Sequence, residues 1–330
     1  MRPILQASFR AVFFRGLLAL GLVTPIQHAF AFDLQAHRGG RGLMPENTLP
    51  AFENALAIGV DTLELDIGVT VDGVVVIAHD PYLNPLIVRD AGGRFLPGPR
   101  GPLIRSLTFA QLQAYELGRI QPGSPYAATF GSQQPRDGIR IPALASLFER
   151  VKALNARDVR FNIETKLDPM RPDDTVTPEA MTRALLQVVN DAGMATRITI
   201  QSFDWRSLQV VQQLQPRIPT VYLTIQTANA DNVVDGNWTA GLRIGDYGSV
   251  PRLVKAAGGA VWSPNGGAVT EPLVKQAQAL GLQVVPWTIN APADLDRMLD
   301  WGVDGLITDY PDRLREALRR RNLPLPRPVP

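Results

Sequence analysis

Short apolar runs alternate with amphipathic stretches along nearly the whole chain, and the two periodicities separate cleanly. β-Branched or continuous apolar runs predict strands at 34–38, 62–67, 74–79, 160–166, 198–203, 220–225, 260–263, 283–288 and 305–308. Apolar residues spaced three and four apart predict helices at 48–58, 144–154, 179–192, 206–214, 272–280, 293–301 and 312–320. Repeated strand-then-helix units build a parallel sheet with helices outside it, and this many units fit a closed (β/α)8 barrel of the TIM type. Nine strand candidates for eight places leave one outside the barrel.

The rhythm breaks at about 81–140, a stretch rich in Pro, Gly and Arg with only a short helical pattern at 108–117. An excursion of that length from a barrel rim reads as a small insert after the third strand, placed where the outer part of a substrate would meet it. No Ser/Gly-rich linker divides the remainder, so one domain is expected over 32–330, ending in a Pro-rich tail at 322–330 that is expected to be disordered.

The polar residues add a second argument. His37, Glu64 with Asp66, Glu164 with Lys166, Gln201, Trp287 and Asp309 all fall at or near the C-terminal ends of predicted strands, the rim at which such barrels assemble their active sites. A dinucleotide-binding sheet would need a different glycine spacing from Gly39-Gly40-Arg41-Gly42.

The first 31 residues carry Arg2, Arg10 and Arg15 and no acid, then an apolar run from Gly16 to Val23, and Ala29 and Ala31 as small residues. This is the layout of a secretory signal cleaved after Ala31, which predicts a periplasmic or secreted protein with no stable membrane insertion after cleavage. The leader holds three of the 33 basic residues and none of the 31 acidic ones, so the mature chain is close to neutral at about −1. A nucleic-acid partner would require a basic face, and the run Arg319-Arg320-Arg321 reads instead as a solvated helix end. The chain has no cysteine, which excludes disulfides and a lipid anchor on a cysteine.

With the leader goes one of the three histidines, leaving His37 and His79. A two-residue turn at Asp72-Gly73 would pair Val71 with Val74 and set His79 directly across from Asp66, on the face that also carries Glu64. Glu164 and Lys166 repeat the i, i+2 pattern on another strand. Three carboxylates without a His/Cys set suit a hard cation, Ca2+ or Mg2+, better than zinc, and two imidazoles beside them suit proton transfer at a phosphate ester.

The run His37-Arg38-Gly39 through Pro45-Glu46-Asn47-Thr48, then Glu64-Leu65-Asp66, Asp72-Gly73 and His79-Asp80, resembles the glycerophosphodiester phosphodiesterase family. So do Glu164-Thr165-Lys166, Gln201-Ser202-Phe203, Trp287-Thr288-Ile289-Asn290 and the run from Gly305 to Pro311. The resemblance spans about 34–315 and departs at Thr165, where many relatives have an apolar residue.

It implies a (β/α)8 barrel that hydrolyses small-molecule glycerophosphodiesters to sn-glycerol 3-phosphate and an alcohol. It also implies His37 and His79 as the acid/base pair, one divalent cation on Glu64, Asp66 and Glu164, and Arg38 and Lys166 on the phosphate. Competing expectations are a phospholipase C or sphingomyelinase D-like lyase that stops at a cyclic phosphate, and a non-catalytic binding protein, against which two retained imidazoles argue. Glu46, Gln201, Trp287 and Asp309 stand outside the assignment, each with a structural role as an equal alternative.

Overall fold

The strand segments that the apolar runs predict form β1 (Asp33–Ala36), β2 (Thr62–Val69), β3 (Val75–Ile77), β4 (Arg160–Thr165), β5 (Ile198–Ser202), β6 (Thr220–Thr224), β7 (Val261–Pro264), β8 (Gln283–Val284) and β9 (Gly305–Thr308). In this computed structural model, which describes residues 32–330, all but β3 run parallel in the order β8-β7-β6-β5-β4-β2-β1-β9. The two outer strands meet: the amide of Asp304 donates to Val284 O at 2.9 Å and that of Ile307 to Pro286 O at 3.0 Å. The barrel of eight parallel strands is thus nearly closed. The expected leader at 1–31 lies outside the described residues.

The amphipathic stretches form the outer layer, α1 (Leu49–Ile58), α2 (Leu144–Ala153), α3 (Pro178–Asp191), α4 (Trp205–Leu214), α5 (Val250–Ala256), α6 (Glu271–Ala279), α7 (Pro292–Trp301) and α8 (Pro311–Arg320). Most begin with a proline in the first turn, where the missing amide costs nothing. Only the seven-residue α5 escapes the sequence pattern, being too short to show a period. Helix and strand meet through paired aromatics such as Phe148 on Phe161 and Trp205 on Tyr222, with ring centroids 5.0 and 4.8 Å apart.

Inside the barrel the side chains divide into two halves. Val221, Val261, Val285 and Ile307 form an apolar cluster. On the other half, Asn162 Nδ2 donates to both Gln35 Oε1 and Gln201 Oε1 at 2.9 Å, and Gln201 Nε2 donates to Glu64 Oε1 at 2.6 Å. A polar ladder therefore rises through the interior and ends at an acid, and each buried amide in it finds a partner.

The ninth candidate strand is the one outside the barrel. β3 turns back antiparallel on β2, pairing Ile67 with Ile77, Gly68 with Val76 and Val69 with Val75. This corrects the two-residue turn. The loop is longer by one residue, because the Thr70 hydroxyl accepts from Val74 N at 2.9 Å while Gly73, at φ +80°, donates its amide to Thr70 O. Asp66 therefore pairs with Ala78, whose amide donates to Asp66 O at 3.0 Å, and His79 stands one residue beyond. The insert accordingly follows a hairpin attached to the second barrel strand rather than a third barrel strand.

Residues 81–140 carry a small core of their own around Leu83, Val88, Ile104, Leu112 and Leu117, continuous with Val76 and Ile141 at the base. The two ends of the excursion are stitched together, since Ile77 N donates to Pro142 O at 2.9 Å and Val76 bridges to Ala143. The Pro-rich tail, expected to be disordered, instead lies against the barrel: Val329 N donates to Leu56 O at 2.9 Å, and Arg315 Nη1 reaches Pro326 O at 2.7 Å. Both contacts engage backbone groups of the tail, which hydrophobic patterning does not reveal.

The hairpin loop can be tested at its glycine. Gly73→Ala meets no atom within 4 Å but forces an L residue into the left-handed region, so it is expected to lower the unfolding free energy by about 1–2 kcal/mol. Gly245→Ala, in open space without a positive φ, is expected to be neutral or slightly stabilising. Equal urea midpoints for the two variants would refute the longer loop.

Candidate active site

Register brings the acids together. Asp66 and Glu164 are direct partners across β2 and β4, and Glu64 lies two residues before Asp66 on the same face. One carboxylate oxygen from each of Glu64, Asp66 and Glu164 lies within 4.8 Å of the other two, and all three residues are buried. The three expected ligands are thus brought together.

The cations come from two directions. Lys166 Nζ lies 2.7 Å from Glu164 Oε1 and 3.8 Å from Asp66 Oδ1. Arg38 Nη1 donates to Glu46 Oε1 at 2.8 Å and its Nε lies 3.4 Å from Asp66 Oδ2. Arg38 itself has φ +51°, and this left-handed turn just after β1 points its amide at Glu64 Oε2, 2.8 Å away. The unusual backbone is thus offset by an amide on a buried carboxylate.

Charge counting shows what the cluster lacks. Glu46, Glu64, Asp66 and Glu164 face Arg38 and Lys166, so two negative charges remain when all are ionised. At about 4 Å, each like-charge pair costs on the order of 4 kcal/mol at an effective dielectric constant of 20. Burial, with the neighbouring Asp66, pushes the Glu64 carboxyl well above its ordinary range. Burial likewise pushes Glu164 up to about 7, although Lys166 opposes it. Asp66 is held down against its burial by the charges of His79, Arg38 and Lys166. A divalent cation would supply two positive charges, and an all-oxygen donor set suits Ca2+ or Mg2+, so the residues present fit such an ion.

Both histidines reach this neighbourhood, each braced by an acid. His37 Nδ1–H donates to Asp309 Oδ1 at 2.6 Å, and Asp309 also accepts from Arg41 Nε and from Asn290 Nδ2, each at 2.7 Å. The tautomer so fixed leaves Nε2 as the acceptor. Burial and then Arg41 lower His37 to about 4, against the raising effect of Asp309. His79 Nδ1 lies 3.2 Å from Asp80 Oδ1, and Asp80 in turn accepts from Asn84. Burial, then Arg38 and Lys166, lower His79.

A cavity of about 470 Å3 opens on Glu164 and Lys166, with His79 and Asp80 on its wall and Tyr82, Phe203 and Trp238 farther along. Three of the four residues with open alternatives have polar roles here: Glu46 pairs with Arg38, Gln201 bonds Glu64, and Asp309 bonds His37. The helix cap belongs to Thr48, whose hydroxyl accepts from Ala51 N. Trp287 braces a neighbour, donating Nε1–H to Ser263 O and packing edge-on against Phe203.

Sequence reasoning missed Asn47, which at φ +56° donates Nδ2 to Asp66 Oδ2 at 3.0 Å, and Arg41. Asn47 and Thr48 are both residue types that can cap a helix, and the positive φ of Asn47 sets it apart.

Titration of His37 checks the Asp309 contact. In the nuclear magnetic resonance spectrum the His37 ring is expected to stay neutral until about pH 4, and in Asp309→Asn, which removes a raising influence, to titrate lower still. Because the folded value lies below the unfolded one, this residue makes stability fall as the pH drops from about 6.5 towards 4. An ordinary titration near 6.5 would contradict the buried arrangement.

The chain is similar to known proteins over most of its length. The model of the glycerophosphoryl diester phosphodiesterase family matches residues 37–313. A glycerophosphodiester phosphodiesterase of Bacillus subtilis (strain 168) is 29% identical, covering 90% of this chain and 94% of its own. The human lysophospholipase D GDPD3 is 27% identical over 90% of this chain and 88% of its own. A Silicibacter pomeroyi DSS-3 crystal structure, provisionally named a glycerophosphoryl diester phosphodiesterase, is 34% identical with a TM-score of 0.79, covering 90% of this chain and 96% of its own. An Oleispira antarctica phosphodiesterase, solved with sn-glycerol 3-phosphate, shares the fold at 21% identity and a TM-score of 0.63 over 88% of this chain and 98% of its own. With a family model spanning most of its length and relatives covered nearly end to end, the chain belongs to the glycerophosphoryl diester phosphodiesterase family.

Proposed function

We propose that this protein is an exported hydrolase that cleaves glycerophosphodiesters to sn-glycerol 3-phosphate and an alcohol, with His37 and His79 exchanging protons and one Ca2+ or Mg2+ held by Glu64, Asp66 and Glu164. The observation that carries the reading is the pair of acid-braced imidazoles beside a cluster short of two positive charges. Export rests on the leader sequence alone. Among the described residues no helix is long and apolar enough to cross a membrane.

A divalent cation held by Glu64, Asp66 and Glu164 would supply Lewis-acid stabilisation of the charge that develops on the phosphoryl group. Arg38 and Lys166 hold the other phosphate oxygens. His37, held neutral by burial and by Arg41, takes the proton of the attacking hydroxyl, either water or the neighbouring hydroxyl of the glycerol, whose cyclic phosphate water then opens by breaking the O–P bond just formed. As the new O–P bond forms, the bond to the departing alcohol breaks, and its electron pair stays on the alcohol oxygen. His79 gives that oxygen a proton.

His79 rather than His37 has this second role because it lines the cavity, which is where the departing head group has room. Burial lowers His79 most, followed by the charges of Arg38 and Lys166, and an anionic phosphate docked between those two cations offsets their share. An arriving anionic phosphate therefore favours the protonated form that the acid role requires.

Leaving-group chemistry tests the assignment. His79→Ala is expected to lose about 100-fold or more in turnover of glycerophosphocholine, yet far less with a 4-nitrophenyl leaving group, which needs no proton. His37→Ala is expected to lose comparably on both. Equal losses for His79→Ala on the two substrates would overturn its role as the acid, and a cyclic phosphate that persists would make the protein a lyase.

The cation has its own test. Chelation is expected to remove most turnover, with Ca2+ or Mg2+ restoring it, and the added cation is expected to raise the melting temperature of the stripped parent but not of Glu64→Gln. Full activity in chelator would reject a metal.

A further inference from the structure

The insert reaches the catalytic centre through one side chain that the reaction itself does not use. Tyr126, on the short helix Pro125–Thr129, donates its hydroxyl hydrogen to Glu46 Oε2, while Arg41 Nη1 donates to the same hydroxyl oxygen at 3.4 Å. Glu46 holds Arg38 through its other oxygen, and Arg41 holds Asp309, which holds His37. A single phenol thus joins the arm that orients the phosphate-binding arginine to the arm that orients the base.

The contact does not stand alone. Arg41 lies over the Phe130 ring at 4.8 Å, Gln133 Nε2 donates to Arg41 O at 2.8 Å, the Ser132 hydroxyl to Gly42 O at 2.9 Å, and Gln134 N to Leu43 O at 2.8 Å. Insert residues 126–134 thus clamp the β1–α1 connection, 38–47, from outside, while its inner side carries Arg38, Glu46 and Asn47 to the acids. That connection holds two non-glycine residues at positive φ, Arg38 and Asn47, beside Gly39 and Gly40, and the two non-glycine positions depend on surrounding structure to persist.

We propose that the insert is an active-site clamp and that Tyr126 is its positioning residue, holding Arg38 and His37 in register through Glu46 and Arg41. A tyrosine suits the task because one hydroxyl both donates to a carboxylate and accepts from a guanidinium, whereas phenylalanine fills the same space and does neither. The clamp deepens the proposed function, since it acts on the same site, but its physical basis does not depend on which substrate that site takes.

Two readings on Tyr126→Phe in the full chain separate the clamp from the substrate assignment. Hydrogen exchange of the 38–47 segment is expected to speed up about tenfold with no change in melting temperature above 2 °C, while exchange in β6 stays as in the parent. Turnover of glycerophosphocholine is expected to fall about tenfold in kcat, and adding Glu46→Gln to Tyr126→Phe is expected to cost less than the product of the two separate losses, because both break one relay. Thr129→Ala on the same helix, outside the relay, is expected to behave as the parent.

Unchanged exchange at 38–47 overturns the clamp whatever the activity, and so do losses that multiply in the double variant. Faster exchange in a protein whose parent does not cleave the diester leaves the clamp standing and rejects the substrate instead.

Discussion

The mutual neutralisation of buried charges at one end of the barrel governs the rest of the site. Two cations cannot balance four buried carboxylates, and the shortfall explains why so many donors converge there: the Arg38 amide and Gln201 on Glu64, Asn47 on Asp66, Lys166 on Glu164. Lys166 brings a full charge already counted, whereas the Arg38 amide, Gln201 and Asn47 each add only a partial positive charge at fixed distance. The interior ladder from Gln35 through Asn162 and Gln201 extends this into the barrel, so that half of its cross-section serves to hold a single glutamate. Replacing that half with valines, as on the other side, would leave Glu64 buried with fewer partners.

The two histidines sit in this field in different ways. His37 follows directly from a barrel strand and is fixed through Asp309, near the end of another, so its position is as rigid as the sheet. His79 arrives by the hairpin, one residue past a pairing with Asp66, and its side chain keeps 29% of its surface exposed where the cavity opens. A buried imidazole and a more open one follow from where each chain segment enters, and the proposed acceptor and donor roles rest on that difference.

Much of this was legible beforehand because periodicity and rim position are local properties. The eight parallel strands and every outer helix but the seven-residue α5 fell where the apolar spacing put them, and the acids at Glu64, Asp66 and Glu164 converged because strand ends of a barrel must. The hairpin register was not legible: a side-chain bond from Thr70 added a residue to the turn, and Asp-Gly alone does not reveal that. Nor were Tyr126, Arg41 and Asn47, whose partners lie far away in sequence or on unusual backbone. The Pro-rich tail was misjudged because its anchors are carbonyls and amides.

The joined feet of the excursion, Ile77 on Pro142 and Val76 beside Ala143, have a consequence for how such a chain tolerates change. Because those ends meet whatever lies between them, lengthening the intervening segment adds only a logarithmic closure cost, about 0.6 kcal/mol per doubling, and leaves the strand ladder untouched. Kin with far shorter or longer excursions can therefore share the same staves and hoops, while differing in whatever grips the first connection from above.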